Sequence, residues 1–208
     1  MISSYNKQGI GDTLMIRIKE SSDSQLRVER KGNIAEIKDG ETGETVGFNF
    51  FFISKLLNLE GIRKNFLMEE QVSLLNTALK KEGFSKELEV DLAPKFVVGF
   101  VKECVEHPDS DHLSITQTEV DNGKTIQIVC GASNIAQGQK VVVAKEGAIM
   151  PSGMVIWDGE LRGEPSHGMI CSAKELGLDY PKEEKGILVL PDTVEVGKEF
   201  QTEMMASN

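Results

Sequence analysis

Basic charge is scarce in this chain. Its 208 residues carry 23 Lys and Arg against 33 Asp and Glu, a formal net charge of −10. Indiscriminate nucleic-acid binding rides on a basic domain, so that class is excluded. No run of about 18 apolar residues exists, which excludes a transmembrane helix and gives no reason to expect a membrane partner. The N-terminus shows no basic segment leading into an apolar one, so no secretory signal is expected. Cysteine is limited to Cys104, Cys130 and Cys171, far apart and odd in number. That is no disulfide framework, and a reducing cytoplasm is the expected compartment. Walker loops, dinucleotide fingerprints, H-E-x-x-H and G-x-S-x-G are all missing, and Gly9-Ile10-Gly11 is too short for a nucleotide loop. Neither catalysis nor a cofactor is expected.

The shortage of positive charge is uneven. Residues 1–94 carry 13 basic and 15 acidic side chains, a net of −2, while residues 95–208 carry 10 and 18, a net of −8. Within the second stretch, 95–174 has 7 basic and 10 acidic residues, a net of −3, so the remaining −5 lies after Lys174. The acidity gathers in the tail.

Pattern and composition change at Pro94, which sets a small α+β domain of unknown role over 1–94 and a β-rich domain over 95–208. In the first, Leu14, Ile16 and Ile18 alternate. Leu26 to Val28, Ile34 to Ile37 and Thr45 to Phe50 follow as short strand-like runs bounded by Gly, Asn, Asp or Ser. Phe48, Phe50, Phe51 and Phe52 form an aromatic cluster that reads as core filling, because no basic residues interleave with the rings. Val72, Leu75 and Leu79 recur at helical spacing over Glu69 to Glu82. Glutamates open that helix, Lys80 and Lys81 close it, and Gly83 stops it. Ser85 to Lys95 is a connector with room for one short strand at Leu88 to Leu92.

The second half reads as strands at Phe96 to Val105, Ser114 to Val120, Thr125 to Cys130, Lys140 to Ala144 and Gly168 to Cys171. The Asn122-Gly123 pair marks a hairpin, and the last strand runs into a short helix. Five short strands and one small helix in about 80 residues point to a small closed barrel, most simply an OB-fold, a five-stranded Greek-key barrel. The chain as a whole is therefore mainly β. Two short C-terminal strands are expected near Gly186 to Leu190 and Lys198 to Gln201.

The densest chemistry lies in Leu161 to Leu178, LRGEPSHGMICSAKELGL. Arg162 is the sole arginine after residue 94. Its guanidinium suits forked bonds to phosphate and stacking on bases, though a surface arginine in a tight loop would look the same. Gly163 and Gly168 allow close backbone approach, Ser166 offers a small donor, and Ser172 with Glu175 makes an S-x-x-E capping box. Asn134, after the Gly131-Ala132-Ser133 turn, can read a base edge or merely close the turn. Met169 can meet a base or fill the barrel. His107, Asp109, Asp111 and His112 cluster, but their spacing fits no standard zinc site, so no metal is expected. The three cysteines read as buried small hydrophobes.

HPDSDHL (His107 to Leu113), VCGASNI (Val129 to Ile135), GAIMPSGMVI (Gly147 to Ile156) and LRGEPSHGMICSAKEL (Leu161 to Leu176) together resemble the tRNA-binding domain of the bacterial phenylalanyl-tRNA synthetase β-subunit. Methionyl-tRNA synthetase extensions and stand-alone tRNA-binding proteins carry the same domain. The resemblance covers about residues 95–200, and its pairing with a small N-terminal domain is similar to that of the YtpR-like proteins. It implies a non-catalytic module that recognises tRNA shape through Asn134, Arg162, Ser166, Met169 and Ser172. Lys102, Lys124, Lys140, Lys145 and Lys174 are candidate phosphate contacts. The family usually has lysine at the position of His112. Stand-alone relatives pair through their C-terminal portion, which implies a homodimer built on Gly186 to Phe200. The rival reading is a protein-interaction scaffold that keeps the barrel with weak or no RNA binding.

Overall fold

A computed structural model describes residues 1–21, 25–58, 67–121, 123–179 and 185–206. The chain divides into two compact units, Met1–Leu92 and Ala93–Asn208.

The first unit runs β1 (Ile2–Tyr5), α1 (Lys7–Ile10), β2 (Thr13–Arg17), β3 (Leu26–Lys31), β4 (Ile34–Asp39), β5 (Thr45–Phe51) and α2 (Glu69–Lys81). Its strands form one antiparallel sheet in the order β1-β2-β5-β4-β3. Period-2 alternation sends Leu14, Ile16, Ile34, Phe48 and Phe50 to one face, where the Val72, Leu75 and Leu79 stripe of α2 covers them. The aromatic cluster therefore splits. Phe48 and Phe50 fill the core, whereas Phe51 faces the other way and Phe52 is exposed. The strand anticipated at Leu88 to Leu92 does not form. Asn76 takes its place, donating from Nδ2 to the Leu88 carbonyl at 2.9 Å and accepting from the Leu88 N–H at 2.8 Å.

The second unit is a barrel with a wrapped tail. β6 (Phe96–His107), β7 (Ser110–Asp121) and β8 (Lys124–Cys130) form a meander. β9 (Lys140–Ala144) returns to pair with β6. A hairpin of β10 (Gly159–Leu161) and β11 (Glu164–Ser166) precedes β12 (Met169–Ile170), which pairs with β9. The His167 N–H then donates to the Gln127 carbonyl of β8 at 2.9 Å, closing the circle. Taking β6, β7, β8, β9 and β12 as the five barrel strands, their order is 1-2-3-5-4-1, the OB-fold topology.

β6 and β9 carry the continuous apolar runs FVVGFV and VVVA because they are buried on both sides. Val97, Val101, Val141 and Val143 point into the barrel with Val120, Ile128 and Ile170. Val98, Val142 and Ala144 point outward and are covered by Cys171, Leu188, Leu190 and Val194. The tail supplies that cover. β13 (Val189–Leu190) pairs with β9, and the Val98 N–H donates to the Lys198 carbonyl at 2.9 Å. The short helix anticipated after Cys171 is a single turn, in which the Leu176 N–H bonds the Ser172 carbonyl at 3.2 Å and Gly177 turns left-handed at φ +68°.

Candidate nucleic-acid interface

OB-folds bind through the face of their second and third strands and through the loops L12 and L45. Here these are β7 and β8, the β6–β7 turn, and the β9–β12 connection that holds the β10–β11 hairpin. The two loops are fastened together by His107, only 4% exposed. The Asp109 N–H donates to its Nδ1 at 3.0 Å, so its Nε2 must carry the proton, which it gives to the Leu161 carbonyl at 3.3 Å. Both ring nitrogens are thereby used. In the fold His107 is a strap between loops.

Arg162 sits at the hairpin tip. Leu161 pairs with Glu164, leaving Arg162 and Gly163 as a two-residue loop with φ of +50° and +88°. Two positive φ values define a type I′ turn, which favours Asn-Gly. An arginine in that place is strained, and it is exposed. Its Nη1 touches the Asp109 carbonyl at 3.4 Å, across the same loop junction.

Other residues from the sequence reading take holding positions. Ser166 Oγ accepts from the Val129 N–H at 3.1 Å and donates to the Gly168 carbonyl at 3.3 Å, helping close the barrel. Asn134 donates from Nδ2 to the Ile187 carbonyl at 3.0 Å and accepts the Ile187 N–H on Oδ1 at 2.9 Å. Its amide is spent on the tail rather than open to a base. Gly186 is obligatory beside it, because a β-carbon there would lie 2.0 Å from Asn134 Oδ1. Ser172 and Glu175 make the reciprocal capping pair, with Ser172 N–H to Glu175 Oε2 at 2.7 Å and Glu175 N–H to Ser172 Oγ at 3.2 Å. Those amides are therefore engaged. Met169 pairs with Ala144 and packs, half-buried, on the outer core.

The lysines do not converge on Arg162. Lys102 pairs with Glu119 at 2.7 Å and Lys145 with Asp121 at 2.8 Å. Lys140 donates to the carbonyls of Asp192 at 2.5 Å and Val194 at 2.6 Å. Lys124 is exposed and starts β8, about 10 Å of strand from Gln127, where the hairpin is seated. Lys174 is exposed. His112 is exposed on β7, next to the fastened turn.

Sequence reading missed Gln127. It bonds Gln117 Nε2 through Oε1 at 3.0 Å and donates to the Pro165 carbonyl at 2.9 Å, seating the hairpin on β8. An outward glutamine in mid-strand was its only signal. Burial pushes the Cys130 thiol up, and pushes Cys171 up to about 12, which makes both poor nucleophiles.

The fold and its fastened loops define an OB-fold domain of the nucleic-acid-binding kind, joined to a small α+β unit. A family model described as "Putative tRNA binding domain" matches residues 96–199, and one described as "Domain of unknown function (DUF4479)" matches 21–91. The "Putative tRNA-binding protein YtpR" of Bacillus subtilis is 51% identical over 197 residues, covering 95% of this chain and 98% of that protein. The chain belongs to this YtpR family of proteins with a tRNA-binding-type domain. Phenylalanine–tRNA ligase beta subunits are similar over a part only. That of Nitratidesulfovibrio vulgaris is 41% identical over 152 residues, 72% of this chain and 19% of the subunit. That of Oceanobacillus iheyensis is 46% identical over 145 residues, 64% of this chain and 18% of the subunit.

Proposed function

We propose that this protein is a non-catalytic tRNA-binding protein of the cytoplasm, which recognises tRNA shape with the fastened loops of its barrel. The RNA-binding domain spans 95–208 and residues 1–94 form a separate domain. The observation that carries the reading is Arg162, an exposed arginine held in a left-handed turn position that its side chain disfavours. Strain of this kind persists where the side chain is needed. Arg162 makes the direct phosphate or base contact, with Lys124 and Lys174 as outlying phosphate contacts. Lys102, Lys140 and Lys145 contribute only if RNA displaces their present partners. Asn134, Ser166, Met169 and Ser172 serve by holding the surface in shape.

A homodimer through the C-terminal strands belongs to the same proposal. Leu188 and Leu190 are buried against the outer side of the chain's own barrel, while Val189 between them is 41% exposed. Two modest faces then engage one RNA together.

The engaged lysines favour one second reading, the protein-interaction scaffold with weak or no RNA binding. Filter binding with total tRNA across a salt series separates the two. RNA binding gives a saturable isotherm whose log affinity falls linearly with log salt. A flat response at low salt supports the scaffold.

A further inference from the structure

The strand β3 ends the sheet of the first unit, pairing with β4 on one side and with no strand of the described residues on the other. Every residue from Leu26 to Arg30 is exposed. The turn into β4 fixes which backbone groups face out. Lys31 pairs with Ile34 around Gly32 and Asn33, with Gly32 left-handed at φ +54°. A two-residue turn makes its flanking residues a hydrogen-bonded pair, and such pairs then alternate along the ladder. Arg27, Glu29 and Lys31 therefore give their N–H and carbonyl groups to β4. Leu26, Val28 and Arg30 aim theirs away from the sheet. The ladder runs from Leu26 to Lys31 without a register shift, so no bulge twists this edge aside.

Charge decides what such an edge accepts. An edge guarded by one sign of charge repels its own copy in every register. Here Arg27 and Glu29 lie on one face of the strand, with Val28, 65% exposed, between them on the other. Arg27 makes no ion pair among the described residues, and its register partner on β4 is Lys38, a like charge. Glu29 meets Lys31 at 2.9 Å and Lys38 at 3.5 Å, and its side chain remains 48% exposed. Set a second β3 antiparallel to the first, with Val28 opposite Val28 of the other copy. The outward groups then match: Val28 bonds Val28 and Leu26 bonds Arg30, about six backbone hydrogen bonds in all. Arg27 falls opposite Glu29 at both ends, in the non-hydrogen-bonded pairs where side chains come closest. Sliding one copy by two residues sets Glu29 on Glu29 or Arg27 on Arg27. Sliding it by one sets outward groups against groups already bonded to β4. Backbone and charge therefore select the same register.

We propose that β3 is a self-association edge, at which the first units of two copies join their sheets across a two-fold axis through Val28. The occupant is a second copy of this chain because the strand's own charges complement one another in the register its backbone allows. The contact uses neither the barrel loops nor the C-terminal strands, so it stands apart from the RNA-binding reading and from the homodimer proposed with it. One short strand on each side is a small interface, and a dimer of about 10–100 µM is expected.

The test is sedimentation velocity of the full chain from about 1 to 300 µM, with the melting temperature of each variant as the check on folding. Wild type should self-associate. Arg27→Glu sets carboxylates face to face, and Val28→Pro deletes an outward N–H that the fold does not use; each should weaken association by about tenfold or more. Mixing Arg27→Glu with Glu29→Arg regenerates both opposite-charge pairs, so the mixture should associate more tightly than either variant alone. In wild type, amide exchange read by NMR should slow with rising concentration at Val28 and Arg30, while Arg27 and Glu29, bonded to β4, stay protected throughout. A wild-type chain monomeric over the whole range would overturn the inference. So would association untouched by Arg27→Glu in a folded protein, or a mixture no tighter than its components. The C-terminal homodimer fails differently: Val189→Glu then leaves association unchanged while the β3 variants abolish it. Association lost in Val189→Glu and kept in both β3 variants supports that homodimer and overturns this edge.

Discussion

Asn134→Ala separates a structural role from a reading role at one residue. The amide makes two hydrogen bonds, at 2.9 and 3.0 Å, to the backbone of Ile187. Ile187 is only 7% exposed, so its N–H and carbonyl would be left shielded and without this partner. A lost net bond costs about 1 kcal/mol, and more where a buried group stays unsatisfied. Asn134 itself is exposed, so water can replace part of it. The expected loss is about 1–2 kcal/mol, a fall of about 5 °C in the melting temperature for a unit of this size. Gly186→Ala probes the same junction from the other side, since its β-carbon would fall 2.0 Å from Asn134 Oδ1. In the double variant that clash is gone, so the two losses should sum to more than the double variant's loss. Thermal and urea unfolding of the four proteins, with tRNA affinity measured alongside, read both quantities. A fully stable Asn134→Ala that loses RNA affinity would refute the structural assignment and return the amide to the RNA face.

Arg162→Asn should raise stability by a few tenths to about 1 kcal/mol, because Asn-Gly suits a type I′ turn, while lowering tRNA affinity; unfolding and binding on one preparation check the trade. His112→Lys should strengthen tRNA binding and steepen the log–log salt slope by about one unit; an identical slope would place residue 112 off the RNA. Ellman's reagent at pH 8 should modify half-buried Cys104 before Cys130 and Cys171, which should react only on unfolding. Because burial lifts the Cys171 thiol from its ordinary 9.0 to about 12, the stability it contributes is whole below pH 9 and is lost as pH rises toward 12. Cys171→Ala should flatten that alkaline fall in melting temperature, and an unchanged profile would contradict the assignment.

The barrel was legible because its signals are local. Asn122-Gly123 marked a hairpin, and the apolar runs at 96–101 and 141–144 marked strands, which the fold buries on both faces. Arg162 stood out as a lone arginine beside glycine. What escaped was every relation made by long-range register. Asn134 and Ile187 lie 53 residues apart, as do Arg162 and Asp109, and no local pattern ties them. The helix after Cys171 was overread because Ser172 and Glu175 do form a capping pair, but Gly177 ends the turn before a helix can propagate. The phenylalanine run showed no interleaved basic residue because Arg30 reaches Phe51 from another strand, across the register of β3, β4 and β5.

The tRNA affinity of Arg162→Ala, measured at matched salt against wild type, tests the central claim most directly. The account predicts a loss of one charge-assisted contact, about 1.5–3 kcal/mol or roughly 10- to 150-fold, with an unchanged or raised melting temperature. Wild-type affinity in a folded Arg162→Ala protein would contradict it.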